Sequence, residues 1–242
     1  MNIILFEKYP DNNLIPAADP RGKHILKILH LQRGDSFLMG VVNQASGRAL
    51  ITGIDEEGIS IEWQPMIPAE PLFPVTLLAA QVRPICMKRI LREAVSLGVE
   101  KIIISGTDTG ERSYRDARLW KTGEYLDYVL SGAQQAGSAA VPLVEQFSSL
   151  DSTLRTLGNS IETPVSVVLD TVGQDARLSG MVFPGGRHYL LAIGPERGWS
   201  DRERVLFKEA GFLTAGLGNR ILRTETACTA GLTLLLSRVG II

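Results

Sequence analysis

The segment Ala192-Ile193-Gly194-Pro195-Glu196-Arg197-Gly198-Trp199-Ser200 runs from a buried-strand pattern into a Gly/Pro loop and then a helix start. After a helical stretch comes Leu217-Gly218-Asn219-Arg220-Ile221-Leu222-Arg223-Thr224-Glu225-Thr226-Ala227, a second loop leading into an apolar helix. Two such loops close in sequence are the makings of a ligand site at the edge of a parallel sheet. Their charged residues, Glu196, Arg197, Arg223 and Glu225, fall in loops rather than on solvated helix faces.

Upstream, apolar runs at 75–80, 101–105, 165–170 and 189–193 read as strands, with a shorter one at 213–215. Helical periodicity places Met87, Ile90, Leu91, Ala94 and Leu97 on one face of a helix over 85–97. Further helices are expected over 118–136, 201–210 and 226–239. Strands alternating with helices imply an α/β domain with a mostly parallel sheet covered on both faces.

The first third of the chain has a different rhythm. Strands are expected at 2–7, 37–42, 49–54 and 59–63, with a short helix over 22–31 carrying Ile25, Leu26, Ile28, Leu29 and Leu31. Then Pro65, Pro68, Pro71 and Pro74 fall within ten residues. Proline continues neither a helix nor a central strand, so the boundary is set here. A β-rich domain spans 1–68 and an α/β domain spans 72–242.

At 242 residues the chain is long enough for a sizeable core in one or two domains. The formal net charge is −1, which excludes a strongly basic coat protein but not a local basic face. Cys86 and Cys228 lie in helical patterns and read as small core residues of a reducing, cytoplasmic compartment. The N-terminus lacks the basic region of a signal peptide. No stretch has the roughly 18 apolar residues of a membrane span. His24, His30 and His188 have no metal-ligand spacing, so no metal site is expected.

In the first loop, glycine permits close backbone approach and proline fixes the turn. A plain strand-to-helix connection, with Ser200 or Asp201 as the cap, accounts for it equally well. In the second loop, capping explains Thr224 and Glu225. It does not explain Arg220 and Arg223, because cations disfavour a helix N-terminus; that misfit points to an anionic partner or a catalytic role. Gly216-Leu217-Gly218-Asn219-Arg220-Ile221 lacks the third glycine of a dinucleotide fingerprint and does not open a first βαβ unit, so it is not one. Arg21, Lys23, Lys27 and Arg33 form one basic cluster, and Arg83, Lys88, Arg89 and Arg92 another. Both suit phosphate contacts, and both suit solvated helix faces.

The pair Ile193-Gly194-Pro195-Glu196 and Leu217-Gly218-Asn219-Arg220-Ile221-Leu222-Arg223-Thr224-Glu225-Thr226-Ala227 closely resembles the signature of the bacterial 16S ribosomal RNA (uracil-N3) methyltransferases of the SPOUT superfamily. Weaker likeness extends to residues 24–35, to Leu97–Ile102 and to Gln134-Gln135. Arg197 stands where that family usually has glycine, and His30 where it usually has arginine. The resemblance implies an N-terminal PUA-like β-barrel that binds RNA and a C-terminal α/β domain with a trefoil knot. It also implies a homodimer, bound S-adenosyl-L-methionine and 16S rRNA of the small ribosomal subunit as substrate.

On this resemblance the cofactor would be held by Thr171, Gly194, Pro195, Glu196, Gly198, Leu217, Gly218, Ile221, Leu222, Thr224 and Thr226. Arg223 is the expected catalytic guanidinium, with Arg220 or Arg197 as helpers. Glu225, a carboxylate at a helix start, is the second catalytic candidate. Arg21, Lys23, Lys27, Arg33, Arg83, Lys88 and Arg92 are the expected RNA contacts. Two other readings fit the same residues: a non-catalytic RNA-binding or ribosome-assembly protein of this fold, and a methyltransferase acting at another RNA position.

Overall fold

A computed structural model describes residues 2–159 and 164–242. They divide into two compact units, Met1–Pro71 with Ala133–Val141, and Leu72–Gly132 with Pro142–Ile242. A single break near residue 70 therefore omits one feature: the segment 133–141 returns to the N-terminal unit. Asn2 N–H donates to the Gln134 carbonyl at 3.0 Å, and Asn43 N–H to that of Ala139 at 2.9 Å.

The N-terminal unit contains β1 (Ile4–Phe6), β2 (Leu14–Pro16), α1 (Pro20–Lys27), β3 (Ser36–Val41), β4 (Ala45–Ile54) and β5 (Gly58–Pro68). They form a mixed sheet of order β1-β3-β4-β5-β2 in which only β1 and β3 run parallel. Gly47, Ala49 and Ile51 alternate inward along β4, the period-2 pattern of a sheet with one buried face. Ala49 and Ile51 join Phe6, Ile15, Ile25, Phe37, Met39, Ile59 and Ile61 in one core.

Two expectations are corrected in this unit. The proline stretch does not end β5, which runs through Pro65 to Pro68. β2 pairs with β5 only at 58–60, so further along the outer edge carries no neighbour among the described residues. Proline lacks only a donor, and an edge does not need one. The register also shifts between Ser46 and Gly47, opposite Pro65. The helix is shorter than 22–31. Asp19 caps it by accepting from Arg21 N–H, Pro20 opens it, and it stops at Lys27. His30 adopts a positive φ of 55°, and Ile28 and Leu29 are exposed.

The second unit contains β6 (Phe73–Ala80), α2 (Pro84–Ser96), β7 (Val99–Ser105), α3 (Arg118–Lys121), α4 (Tyr125–Ala136, whose last four residues belong to the first unit), β8 (Leu143–Phe147) and α5 (Leu150–Gly158). It continues with β9 (Val165–Leu169), β10 (Ala176–Arg177), β11 (Tyr189–Ile193), α6 (Asp201–Glu209), β12 (Leu213–Gly216) and α7 (Thr224–Arg238). The single helix expected over 118–136 is two, broken at Thr122-Gly123, where Gly123 takes a φ of 76°. Leu126, an apolar residue of this stretch, is exposed.

The seven strands are all parallel, in the order β10-β12-β9-β11-β6-β7-β8. β11 is buried along its whole length, as a central parallel strand must be. Leu78, Ile103, Val168, Leu190, Trp199 and Phe207 pack on one face of the sheet. α7 packs against β11 on the other, and α2 packs beside α7. Gly231 permits that approach: a Cβ there would lie 2.9 Å from Leu169 Cδ1 and 3.1 Å from Leu191 Cδ2.

The chain moves outward from β6 through β7 to β8, then crosses to β9 on the other side and returns to insert β11 beside β6. This reversal is a topological switch point, and ligands of open α/β sheets bind outside the strand C-termini at such points.

Candidate active site

The loops that leave β9, β11 and β12 at their C-terminal ends enclose a cleft of about 310 Å³. Its walls include Thr171, Gly194, Pro195, Glu196, Gly198, Leu217, Gly218, Ile221, Leu222 and Thr224. The two loops singled out in the sequence thus face one space. Thr226, expected there too, is not among the lining residues; it is exposed on the first turn of α7.

Local chemistry builds each wall. Of the two expected caps, Ser200 or Asp201, it is Ser200 that caps α6, in a reciprocal box with Glu203. Glu203 is fully buried, and its other carboxylate oxygen accepts from Asp108 N–H at 2.9 Å. The helix start is thereby anchored to the loop after β7. Trp199 donates its indole N–H to the Leu169 carbonyl at 3.1 Å, joining the ends of β9 and β11. Asp170 accepts from the N–H groups of Thr171 and Val172, and Arg204 closes on its carboxylate at 2.7 Å. That carboxylate, by hydrogen bonding, raises the Arg204 pKa above its ordinary value.

Thr224 is not the helix cap. Arg223 occupies the cap position without a side-chain capping bond, and Thr224 is already helical. The Thr224 hydroxyl donates instead to the Gly194 carbonyl at 3.1 Å. Arg223 is exposed and does not line the cleft. Glu225 faces α2: its carboxylate lies 3.7 Å from Arg89, with its side chain only 10% exposed, and it too is absent from the cleft wall. Arg197 and Arg220, the expected helpers, both line the cleft.

Asp170, Gln174, Trp199 and Arg204 also line it. Sequence reasoning passed over their roles. The usable signal was an acid directly after a strand, Asp170, because such a residue caps the following loop rather than packing inside.

The cleft suits a ligand with an apolar ring and a charged end. Leu169, Ile193, Leu217 and Leu222 supply apolar wall, while Glu196 presents an exposed carboxylate. Gly218, at a φ of 138°, holds a backbone conformation that residues with a Cβ rarely adopt.

The predicted basic contacts fare unevenly. Arg21 is engaged by Asp19 at 2.7 Å and Glu7 at 3.1 Å, and lies over the Phe6 ring. The Arg21 guanidinium in turn holds the Asp19 carboxyl below its ordinary range. Lys88 pairs with Glu124 at 2.6 Å, and Arg92 lies over the Tyr128 ring. Arg83 donates to the Tyr114 hydroxyl at 3.2 Å. Lys23, Lys27 and Arg33 are exposed and make no ion pair among the described residues. Cys86 and Cys228 are unbridged, and burial pushes both thiols up, away from the reactive thiolate form. No group of three metal-ligating side chains occurs among the described residues, and no helix is long and apolar enough to cross a membrane.

Comparison with known proteins places this architecture. The RNA methyltransferase domain family matches residues 68–236. The ribosomal RNA small subunit methyltransferase E of Treponema pallidum is 34% identical over 98% of this chain and 91% of its own length. The chain belongs to the ribosomal RNA small subunit methyltransferase E family. Solved structures agree on the fold. The Neisseria gonorrhoeae ribosomal RNA small subunit methyltransferase E, bound to S-adenosyl methionine, superposes with a TM-score of 0.79 at 21% identity, over 98% of this chain and 97% of that one. A Legionella pneumophila protein solved in complex with the same cofactor gives 0.80 at 23% identity, over the same shares.

Proposed function

We propose that this chain transfers a methyl group from S-adenosyl-L-methionine to N3 of a uridine in 16S rRNA of the small ribosomal subunit. One observation carries the reading. The two signature loops, 30 residues apart at Gly194 and Thr224, are hydrogen-bonded to each other and form the walls of one cleft at the switch point.

The residues present fit the cofactor. The apolar wall suits its adenine, loop backbone suits its polar groups, and the Glu196 carboxylate suits its positively charged end. When bound, the cofactor supplies an electrophilic methyl group on a sulfonium. Thr171, Gly194, Pro195, Glu196, Gly198, Leu217, Gly218, Ile221, Leu222 and Thr224 would hold it, with Thr226 adjoining.

The acceptor is an imide nitrogen. It would lose its proton to solvent, and the negative charge left on the ring would make N3 the nucleophile that takes the methyl group. The guanidinium of Arg223, adjacent in sequence to two cleft residues but outside the cleft itself, would favour that charge electrostatically. Glu225, held against Arg89, would act by fixing the first turn of α7. Positioning of donor and acceptor accounts for much of the remaining effect. The N-terminal unit is read as a PUA-like RNA-binding barrel, the C-terminal unit as a knotted SPOUT domain, and the enzyme as a cytoplasmic homodimer. Lys23, Lys27 and Arg33 are the N-terminal contacts left available for phosphate.

Mass mapping of small-subunit RNA from a strain lacking this chain tests the reading. One uridine N3-methyl group should be absent there and restored by the wild-type chain. Restoration of a methyl group at another atom, or of none, would overturn it.

A further inference from the structure

A second cleft, of about 340 Å³, opens at the C-terminal ends of β6, β7 and β8. It is distinct from the loops assigned above to the cofactor. Gln81, Thr107, Ser148 and Ser149 line it, with Arg112 and Arg115. Gln81 is 95% buried by its residual exposure of 5%, and Ser148 and Ser149 open the turn that leads into α5.

The charges there do not cancel. Asp108 is occupied: it accepts from Ser200 Oγ at 2.6 Å and from Arg202 at 2.9 and 2.7 Å. Glu111 turns back to accept from Ser113 N–H. Arg112 and Arg115 are exposed and have no side-chain partner among the described residues. The Thr107 hydroxyl is buried with no hydrogen-bond partner. A buried polar group left unpaired is costly enough to need a reason. Among the described residues, the cleft wall thus carries two guanidiniums without a side-chain partner against one acid, Glu111, that no cation pairs, because Asp108 is paired with Arg202.

The loops that border the two clefts are hydrogen-bonded to each other. Thr109, in the loop that borders the second cleft, donates its hydroxyl to the Gly198 carbonyl of the first at 2.7 Å. Asp108 reaches Ser200 in the same stretch. These bonds set the loop that carries Arg112 and Arg115 against the loop that walls the first cleft.

We propose that this second cleft is a phosphate subsite for the RNA strand, in which Arg112 and Arg115 hold the backbone beside the acceptor nucleotide. The inference rests on the RNA methyltransferase reading above. Arginine suits the task because its planar fork matches phosphate oxygens in pairs.

The test replaces both residues with glutamine (R112Q/R115Q) and, separately, Arg115→Glu. Methyl transfer to small-subunit RNA, direct RNA binding by fluorescence anisotropy at several salt concentrations, and cofactor binding by calorimetry are measured for each. The expected result for R112Q/R115Q is a KM for RNA raised by roughly tenfold or more and a log K against log salt slope shallower by about 1.4–1.8, two phosphate contacts' worth; Arg115→Glu should flatten the slope by about 0.7–0.9, one contact's worth. Cofactor affinity should stay within about twofold, since these side chains do not line the first cleft.

Unchanged RNA affinity and salt slope in both variants would overturn the inference. So would an equal loss of cofactor binding, which would mean that the loop rather than a contact had been altered. Inorganic phosphate that binds the wild-type chain through these arginines while RNA affinity stays the same in the variants would make this a small-anion site instead. Direct RNA binding reads the subsite without methyl transfer, so failure of the parent reading shows separately, as a wild-type chain that transfers no methyl group to this RNA.

Discussion

The Thr224 hydroxyl and the Gly194 carbonyl meet at 3.1 Å, and this bond ties the end of β11 to the first turn of α7. Thr224 is buried, and the bond is partly shielded from water. Thr224→Val keeps the shape but leaves the Gly194 carbonyl without this partner, which should cost about 1–3 kcal/mol. Cofactor affinity should fall by about tenfold for each 1.4 kcal/mol that the cleft wall loses. Thr224→Ser should restore most of it. Calorimetry with S-adenosyl-L-methionine on the three chains checks this; equal affinity in all would show that the tie does not shape the cleft.

Gly194→Ala tests the same wall from the other side. An added Cβ would sit 3.1–3.4 Å from the Trp199 ring. That ring has little freedom to move, because its N–H is bonded to Leu169 and its face meets Phe207 at 4.7 Å. Overpacking of this kind typically costs about 1–3 kcal/mol. The variant should melt earlier than wild type and bind cofactor more weakly. Gly173→Ala has open space for its Cβ but a positive φ, so backbone strain without crowding is its expected effect.

Acid sensitivity should centre on Arg202. Its guanidinium bridges Asp108 at 2.7 Å and Asp151 at 2.8 Å, and this hydrogen bonding holds both carboxyls below their ordinary value. A depressed folded-state pKa means that the unfolded chain takes up protons first. The contribution is therefore complete above the unfolded value of about 3.9 and is lost as pH falls through the folded value. Solvent screening keeps each link modest, since these side chains are more than a third exposed. Thermal melts of wild type and Arg202→Ala at neutral pH and near pH 3 should differ more at neutral pH. A constant difference would show that these bridges contribute nothing that titrates.

What the sequence disclosed follows from how local each signal was. The strand and loop around Gly194 and the cap at Ser200 were legible because strand periodicity and capping act within a few residues. The bond from Thr224 to Gly194 was not, since a hydroxyl near a helix start reads first as a cap. Pro65 and Pro68 misled because only sheet order reveals that this part of β5 is an edge. β8 was missed because Leu143–Phe147 has no buried residue and no apolar run. α5 was missed as well, although its Ser149 cap was there to be read. The second cleft had no sequence signature at all, as Gln81, Thr107 with Arg112, and Ser148 come from three loops that meet only at the C-terminal ends of β6, β7 and β8.

Arg223 offers the sharpest test of the catalytic assignment. It sits at the cap position of α7, between Leu222 and Thr224, which both line the cleft at the switch point, yet it does not line that cleft itself. No side-chain partner holds it among the described residues, and it is exposed. A cation at a helix N-terminus opposes the helix dipole, so its presence there calls for an anionic counterpart. If that counterpart is the uracil ring as it gains charge, Arg223→Ala should lower turnover by roughly a hundredfold or more while cofactor affinity stays nearly constant. Arg223→Lys should recover only part of the rate, because an ammonium lacks the planar fork. Glu196→Ala should show the opposite split, weakening cofactor binding first. Calorimetry paired with tritium transfer to small-subunit RNA separates the two outcomes. Wild-type turnover in Arg223→Ala, or a loss explained wholly by failure to bind cofactor, would remove Arg223 from the chemistry.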